Sequence, residues 1–204
     1  TSAGISLLNI STSESRLLYS NTTEDFFQVP SLYYDDQLKR LWIGTGSAGL
    51  FYYDIIRKSL SDIPIRNFPK QPILAIRKDA KNTLLIGIDG QGIWNISEKG
   101  DTILHIYKED LNNPFSLRGD GVYDILCDGS KNWIATFTGK LSFFENNNSQ
   151  ITPVTYQINN PNSLGNNYVN QIIEDHEGHI WFATNNGVSR WDAASNKWKH
   201  YYQN

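Results

Sequence analysis

Methionine is absent from this chain, and cysteine occurs once, at Cys127. A lone cysteine excludes an internal disulfide and fixes nothing about the redox compartment. Closing an apolar segment, it reads as a small buried hydrophobe. No apolar run approaches the ~18 residues that mark a membrane-spanning helix, and no signal peptide is evident. Cationic clusters are missing as well: 18 Lys and Arg stand scattered against 21 Asp and Glu, for a net charge of −3. That balance argues against a nucleic-acid partner, which needs a basic face. No stretch carries a helical period, and there is no glycine-rich phosphate loop, nucleophile elbow or Ser/His/Asp order.

What the chain does have is one phrase written four times: Leu41–Thr45, Leu84–Ile88, Asn132–Thr136 and Ile180–Thr184. Anchored on Trp42, Leu85, Trp133 and Trp181, the copies are spaced by 43, 48 and 48 residues. A fixed period in this range is the signature of stacked β units such as propeller blades. The unit extends upstream. Asn113-Pro114-Phe115-Ser116-Leu117 and Asn160-Pro161-Asn162-Ser163-Leu164 lie 47 residues apart, one less than the anchors, which places a one-residue insertion in the turn before Trp181. Downstream, a glycine (Gly49, Gly92, Gly139, Gly187) opens an apolar and aromatic segment.

Each unit reads as four short strands, A to D. The anchor phrase is strand B, apolar enough to be buried on both faces. Acidic and Gly/Asn-containing turns separate A from B. The expected fold is all-β: propeller blades of four antiparallel strands, about four and a half of them, on one segment. Gly4–Asn9 and Arg16–Tyr19 match strands C and D, so the chain is expected to begin inside a blade. The divisions are a half blade at 1–21, then blades at 22–68, 69–108, 109–157 and 158–204. The half blade points to a piece of a larger ring, which the missing initiator methionine also favours.

Few residues offer chemistry. His176, Glu177 and His179 are metal-like in type but sit in an A–B turn without a third ligand, so they read as a solvated turn. The acidic pairs Asp35/Asp36, Glu109/Asp110 and Glu174/Asp175 are sequence neighbours; on a strand they point apart and form no glycosidase pair. Asp175, Gly178 and Trp181 loosely resemble the Asp-box of sialidase-type propellers, with the carboxylate capping turn amides. Asn113 and Asn160 read as turn formers. The sequons at Asn9, Asn21 and Asn95 read as chance. Catalytic and metal-binding residues are therefore expected to be none, and cofactors none. The B–C and D–A loops, which share one end of a propeller, are the expected binding surface. From them come the candidate ligand residues Asp89, Gln91, Arg118, Tyr123, Tyr168, Asn185 and Asn186, whose polar and aromatic groups suit sugar hydroxyls and sugar faces.

The phrases Asp-x-x-Gly-x-x-Trp-[Ile/Phe]-[Gly/Ala]-Thr and Gly-[Leu/Val]-x-x-[Tyr/Trp]-Asp, with the Asn-Pro-x-Ser-Leu lead-in, resemble the two-component regulator propeller repeat. The resemblance covers essentially the whole chain. It is strongest at 160–192 and 41–54, and weakest where Leu85 and Ile88 replace Trp and Thr. It implies the periplasmic sensor region of a hybrid two-component system: seven-bladed propellers that detect oligosaccharides and control polysaccharide-utilisation genes, ahead of a membrane helix and histidine kinase that this segment does not contain. Implied partners are an oligosaccharide, and a second copy or further blades of the parent chain, with no nucleic acid and no membrane in this segment. Two other readings stand beside it. A propeller lyase or glycan-active enzyme would need a clustered His and acid at the central channel, whereas the four histidines fall in strand D or an A–B turn. A structural or dimerisation scaffold would need no ligand.

Overall fold

The computed structural model describes residues 4–20 and 28–202; the sequon at Asn21 lies outside them. Every element is a strand. β1 (Gly4–Leu8) and β2 (Ser15–Ser20) form a two-stranded sheet. Four antiparallel meanders follow. The first comprises β3 (Ser31–Asp35), β4 (Arg40–Gly44), β5 (Leu50–Asp54) and β6 (Ser59–Asp62). The second comprises β7 (Ile73–Lys78), β8 (Leu84–Ile88), β9 (Gly92–Ile96) and β10 (Ile103–Tyr107). The third comprises β11 (Val122–Cys127), β12 (Lys131–Thr136), β13 (Lys140–Glu145) and β14 (Thr152–Val154). The fourth comprises β15 (Val169–Glu174), β16 (His179–Thr184), β17 (Gly187–Asp192) and β18 (Lys197–Tyr201). These are the four blades and the half blade expected from the repeat.

Each A–B turn needs one residue in the left-handed region. Lys39, Asn82, Gly129 and Gly178 supply it, at φ of 52°, 61°, 86° and 80°. The one-residue insertion before Trp181 is visible as ring size: the Asp128 N–H donates to the carbonyl of Lys131, and the Asp175 N–H to that of His179.

The blades pack through their first strands, β3 on β7, β7 on β11 and β11 on β15. The anchor residue of one blade faces the next. Trp42 joins Ile73, Ile76 and Ile86 of the second blade in one cluster, and Trp133 joins Leu164, Val169 and Ile172 of the fourth in another. Strand B is wholly buried in β8 and nearly so in β12, but alternates between buried and half-buried in β16. The phrase is the same; what differs is that β16 has a neighbouring blade on one side only among the described residues. Ile173 (54% exposed), Tyr201 and Tyr202 are correspondingly open to solvent.

The Asn-Pro-x-Ser-Leu loops fasten each D–A connection to the blade it enters. Leu117 and Leu164 are fully buried. Asn113 Oδ1 accepts the N–H of Phe115, and Asn160 Oδ1 that of Asn162, both at 3.0 Å. Ser116 and Ser163 accept the N–H groups of Asp110 and Gln157 across the loop. The two asparagines are turn formers, as their type and position indicated.

Candidate functional site

The B–C and D–A loops meet at one end of the blades. Phe137 N–H donates to the carbonyl of Gly121, Asp89 N–H to that of Pro72, and Asn185 N–H to that of Tyr168. Thr138 Oγ1 donates to the carbonyl of Arg118 at 2.6 Å, and Thr136 Oγ1 reaches the same oxygen at 3.3 Å. At this end of the third blade lies a cavity of about 330 Å³, lined by Arg118, Thr138, Gly139, Lys140, Leu141, Pro153, Thr155, Asn167 and Tyr168. Its size is near the lower end of small-molecule sites, ~300–1,000 Å³.

Local structure explains how Tyr168 comes to form one wall. Asn166 Oδ1 accepts the Tyr168 N–H at 2.8 Å, an Asx turn that fixes the entry into β15. The ring lies against Gly139, where a Cβ would come within 2.4 Å of it. The corresponding glycines Gly92 and Gly187 exist for a different reason: there a Cβ would strike the carbonyl of Tyr107 or Tyr201 in the neighbouring strand D. Tyr168 remains 53% exposed, so part of its ring is available to a ligand.

Of the seven candidate residues, this cavity brings together Arg118 and Tyr168; the other five line none of the five described cavities. Gln91 Oε1 accepts from Lys108 Nζ at 3.2 Å, and Asn185 Oδ1 from Asn170 Nδ2 at 2.9 Å. Asn186 is exposed in the same turn as Asn185. Asp89 lies beside Gly121. Tyr123 is the extra residue of a bulge between Val122 and Asp124, and stacks on Phe137 with centroids 3.8 Å apart and planes 18° apart. One face of its ring is therefore already covered. Sequence reasoning passed over Lys140, Asn167 and Thr155. Asn167 lies in the D–A loop without being singled out, and Lys140 and Thr155 sit at the ends of β13 and β14, which the repeat treats as framework.

The remaining polar clusters are framework. In every A–B turn an aspartate accepts two backbone N–H bonds: Asp35 from Gln37 and Leu38, Asp79 from Lys81 and Thr83, Asp128 from Ser130 and Lys131, Asp175 from Glu177 and His179. The second oxygen of Asp128 accepts the Trp133 indole at 2.8 Å, and that of Asp175 accepts Trp181 at 2.7 Å. In the first blade the turn is longer, Lys78 takes that oxygen of Asp35 at 3.1 Å, and the Trp42 indole N–H is left without a partner. His179 opens β16 with Nδ1 3.1 Å from Asp175, and no group of three metal-binding side chains occurs among the described residues. Burial pushes the Cys127 thiol up to about 12, which leaves it protonated and inert.

One buried acid escaped the sequence reading. Asp124 Oδ2 accepts the Ile172 N–H of the next blade at 2.9 Å, and Oδ1 lies 3.2 Å from Arg77 of the preceding one. Burial raises its carboxyl above the ordinary value, against the pull of the Ile172 N–H and of Arg77. It ties three blades together.

Comparison with known proteins places this architecture. The model of the two component regulator propeller matches residues 163–186. No curated protein sequence matches the chain. Among solved structures, the extracellular domain of a putative one component system from B. thetaiotaomicron is similar at 19% identity and a TM-score of 0.56, over 98% of this chain and 33% of that one. The extracellular domain of a putative hybrid two component system from B. thetaiotaomicron is similar at 18% and 0.55, over 98% and 33%. The computationally designed Ika8 protein is similar at 12% and 0.65, over 97% and 55%. The chain thus spans about a third of the length of the first two. At such identities these likenesses carry the fold. Residues 163–186 match the two component regulator propeller model, in a chain whose described strands form propeller-like antiparallel blades.

Proposed function

We propose that the chain is a ligand-sensing segment in the extracytoplasmic, periplasmic region of a hybrid two-component signalling protein, and that it recognises oligosaccharides to control polysaccharide-utilisation genes. The larger ring would be completed by further blades of the parent chain or by a second copy. The observation that carries the reading is the cavity at the loop end of the third blade. There a half-exposed tyrosine ring stands beside Arg118, Thr138, Thr155 and Asn167. An aromatic face with convergent donors and acceptors is what a sugar ring needs, since its C–H face is apolar and its rim is hydroxyls. The match at 163–186 and the likeness to extracellular domains of putative one and two component systems support the signalling half of the reading.

The reading favours recognition over turnover. The described histidines lie away from this cavity: His105 in β10, His200 in β18, His176 in an A–B turn and His179 at the start of β16. Isothermal titration of the purified chain against a panel of di- to tetrasaccharides is the test. Saturable binding that weakens at least tenfold in Tyr168→Ala supports the site. Binding unchanged in that variant removes the site assignment, and turnover of any panel member removes the sensor reading in favour of an enzyme.

A further inference from the structure

The cavity that holds Arg118 and Tyr168 differs from the other four described cavities in charge. Its lining contains two cations, Arg118 and Lys140, and no Asp or Glu. The cavity between the outer strands β10 and β14 mixes Lys108 with Glu109 and Asp110. The one beside β6 mixes Lys70 with Asp62, and the one beside β13 mixes Lys81 with Asp79 and Glu145. The one beside β18 has no lysine, arginine or acid. On a chain of net charge −3, two cations gathered without a counter-ion are a local reversal of sign.

Neither cation is taken up by an ion pair among the described residues. Arg118 Nη2 donates to the carbonyl of Pro114 at 2.8 Å, a neutral acceptor, which leaves the other guanidinium N–H groups for a ligand. Neither Arg118 nor Lys140 has a carboxylate partner among the described residues. Elsewhere the chain does pair its cations where it needs them for packing, as with Lys78 between Asp35 and Glu98. An unpaired arginine at a cavity wall suits a planar carboxylate, which it can bind through two parallel N–H bonds, and the lysine adds a point charge. Gly139 and Tyr168 supply the flat platform between them.

We propose that this site takes an acidic oligosaccharide, with a uronic acid carboxylate or sugar sulfate held by Arg118 and Lys140 over the Tyr168 ring. The proposal rests on the oligosaccharide reading of this cavity and sharpens it to anionic glycans. The test is titration calorimetry of the whole chain with trigalacturonate, a glucuronate-containing disaccharide and a sulfated chondroitin disaccharide. Each is paired with its neutral counterpart, carboxyl-reduced or desulfated, at low and at physiological salt.

At least one acidic probe is expected to bind on the order of tenfold or more tightly than its neutral partner, a gap equal to one strong charge-assisted contact. Salt should narrow that gap, because partly exposed charges are screened. Lys140→Gln should lower affinity for the acidic probe while leaving affinity for the neutral one within about twofold, and Arg118→Gln should lower affinity for both, more for the acidic probe. Neutral probes binding as tightly as acidic ones would overturn the acidic preference and leave the oligosaccharide site standing. No binding by any probe, acidic or neutral, would overturn both. Unchanged acidic affinity in both variants, with their circular dichroism and thermal melting matching the parent, would move the acid site elsewhere.

Discussion

Gly139 shapes the site through what it lacks. Its φ of 72° is one that side chains disfavour, and a Cβ would sit 2.4 Å from the Tyr168 ring. Gly139→Ala should therefore cost roughly 1–3 kcal/mol in urea unfolding and displace Tyr168, lowering affinity for any ligand of this cavity. Gly129→Ala is the control: its φ is also positive, but a Cβ there meets nothing within 4 Å, so it should lose stability without touching binding. The buried Asp124 and the half-buried Asp128 differ in how pH acts on them. Burial pushes Asp128 up, but the N–H groups of Lys131 and Ser130 and the Trp133 indole outweigh it and hold the group below its ordinary value. Its contribution is present above the unfolded pKa of ~3.9 and fades as pH falls through the native value. Asp124 is raised by burial, so its contribution is full below ~3.9 and fades as pH rises through the native value. Chemical unfolding from about pH 2 to 7 should show the gap by which Asp128→Asn trails the parent widening as pH rises toward ~4 and levelling off above it. The difference between Asp124→Asn and the parent should move the opposite way, in favour of the variant. Parallel trends in the two variants would contradict these assignments.

Blades were legible because their strands repeat residue types that only one geometry satisfies. Trp42, Leu85, Trp133 and Trp181 occupy equivalent pairs in β4, β8, β12 and β16, opposite Tyr33, Arg77, Leu126 and Ile173. The Asn-Pro-x-Ser-Leu motif was equally readable, since Asn113 and Ser116 act locally and Leu117 simply disappears into the core. That division of labour is measurable. Leu117→Ala should cost about 2–5 kcal/mol by opening a cavity in the packed cluster it shares with Tyr107, Ile125 and Ile151. Asn113→Ala should cost no more than ~1 kcal/mol, because it loses one exposed turn bond. Equal losses would mean that the loop is held by its turn and not by its plug. The bulges in β7, β11 and β15 were not readable. Their extra residues, Leu74, Tyr123 and Asn170, share no chemistry, and a bulge is set by register against strand B. That is why Tyr123 could be picked out as aromatic but not seen to be spent on Phe137. Lys140 was missed for a related reason: a strand-end residue gains meaning only from the loop of the next blade.

Across the molecule, the repeated core implies uneven stability. Stacked units owe much of their stability to their neighbours, so a unit covered on both sides is the last to open. β8 is buried at all five positions, and β7 and β11 are packed on both sides by first strands of adjacent blades. In β15 only Val169 and Ile172 are buried, and Trp181 in β16, equivalent to the fully buried Trp42, is only half-buried. At the other end β1 and β2 form a sheet of two strands whose Leu7, Leu8 and Leu17 are more than half exposed. Amide hydrogen exchange on the purified chain should follow this order. Protection should be greatest in β7, β8, β11 and β12, intermediate in β3 and β4, and least in β1, β2 and β18. Asp124→Ala, which removes the acceptor for Ile172 N–H and the partner of Arg77, should release β15 and β16 far more than β7 and β8. Uniform loss of protection across all blades would show instead that the stack opens as one cooperative unit, and that Asp124 fastens the whole of it.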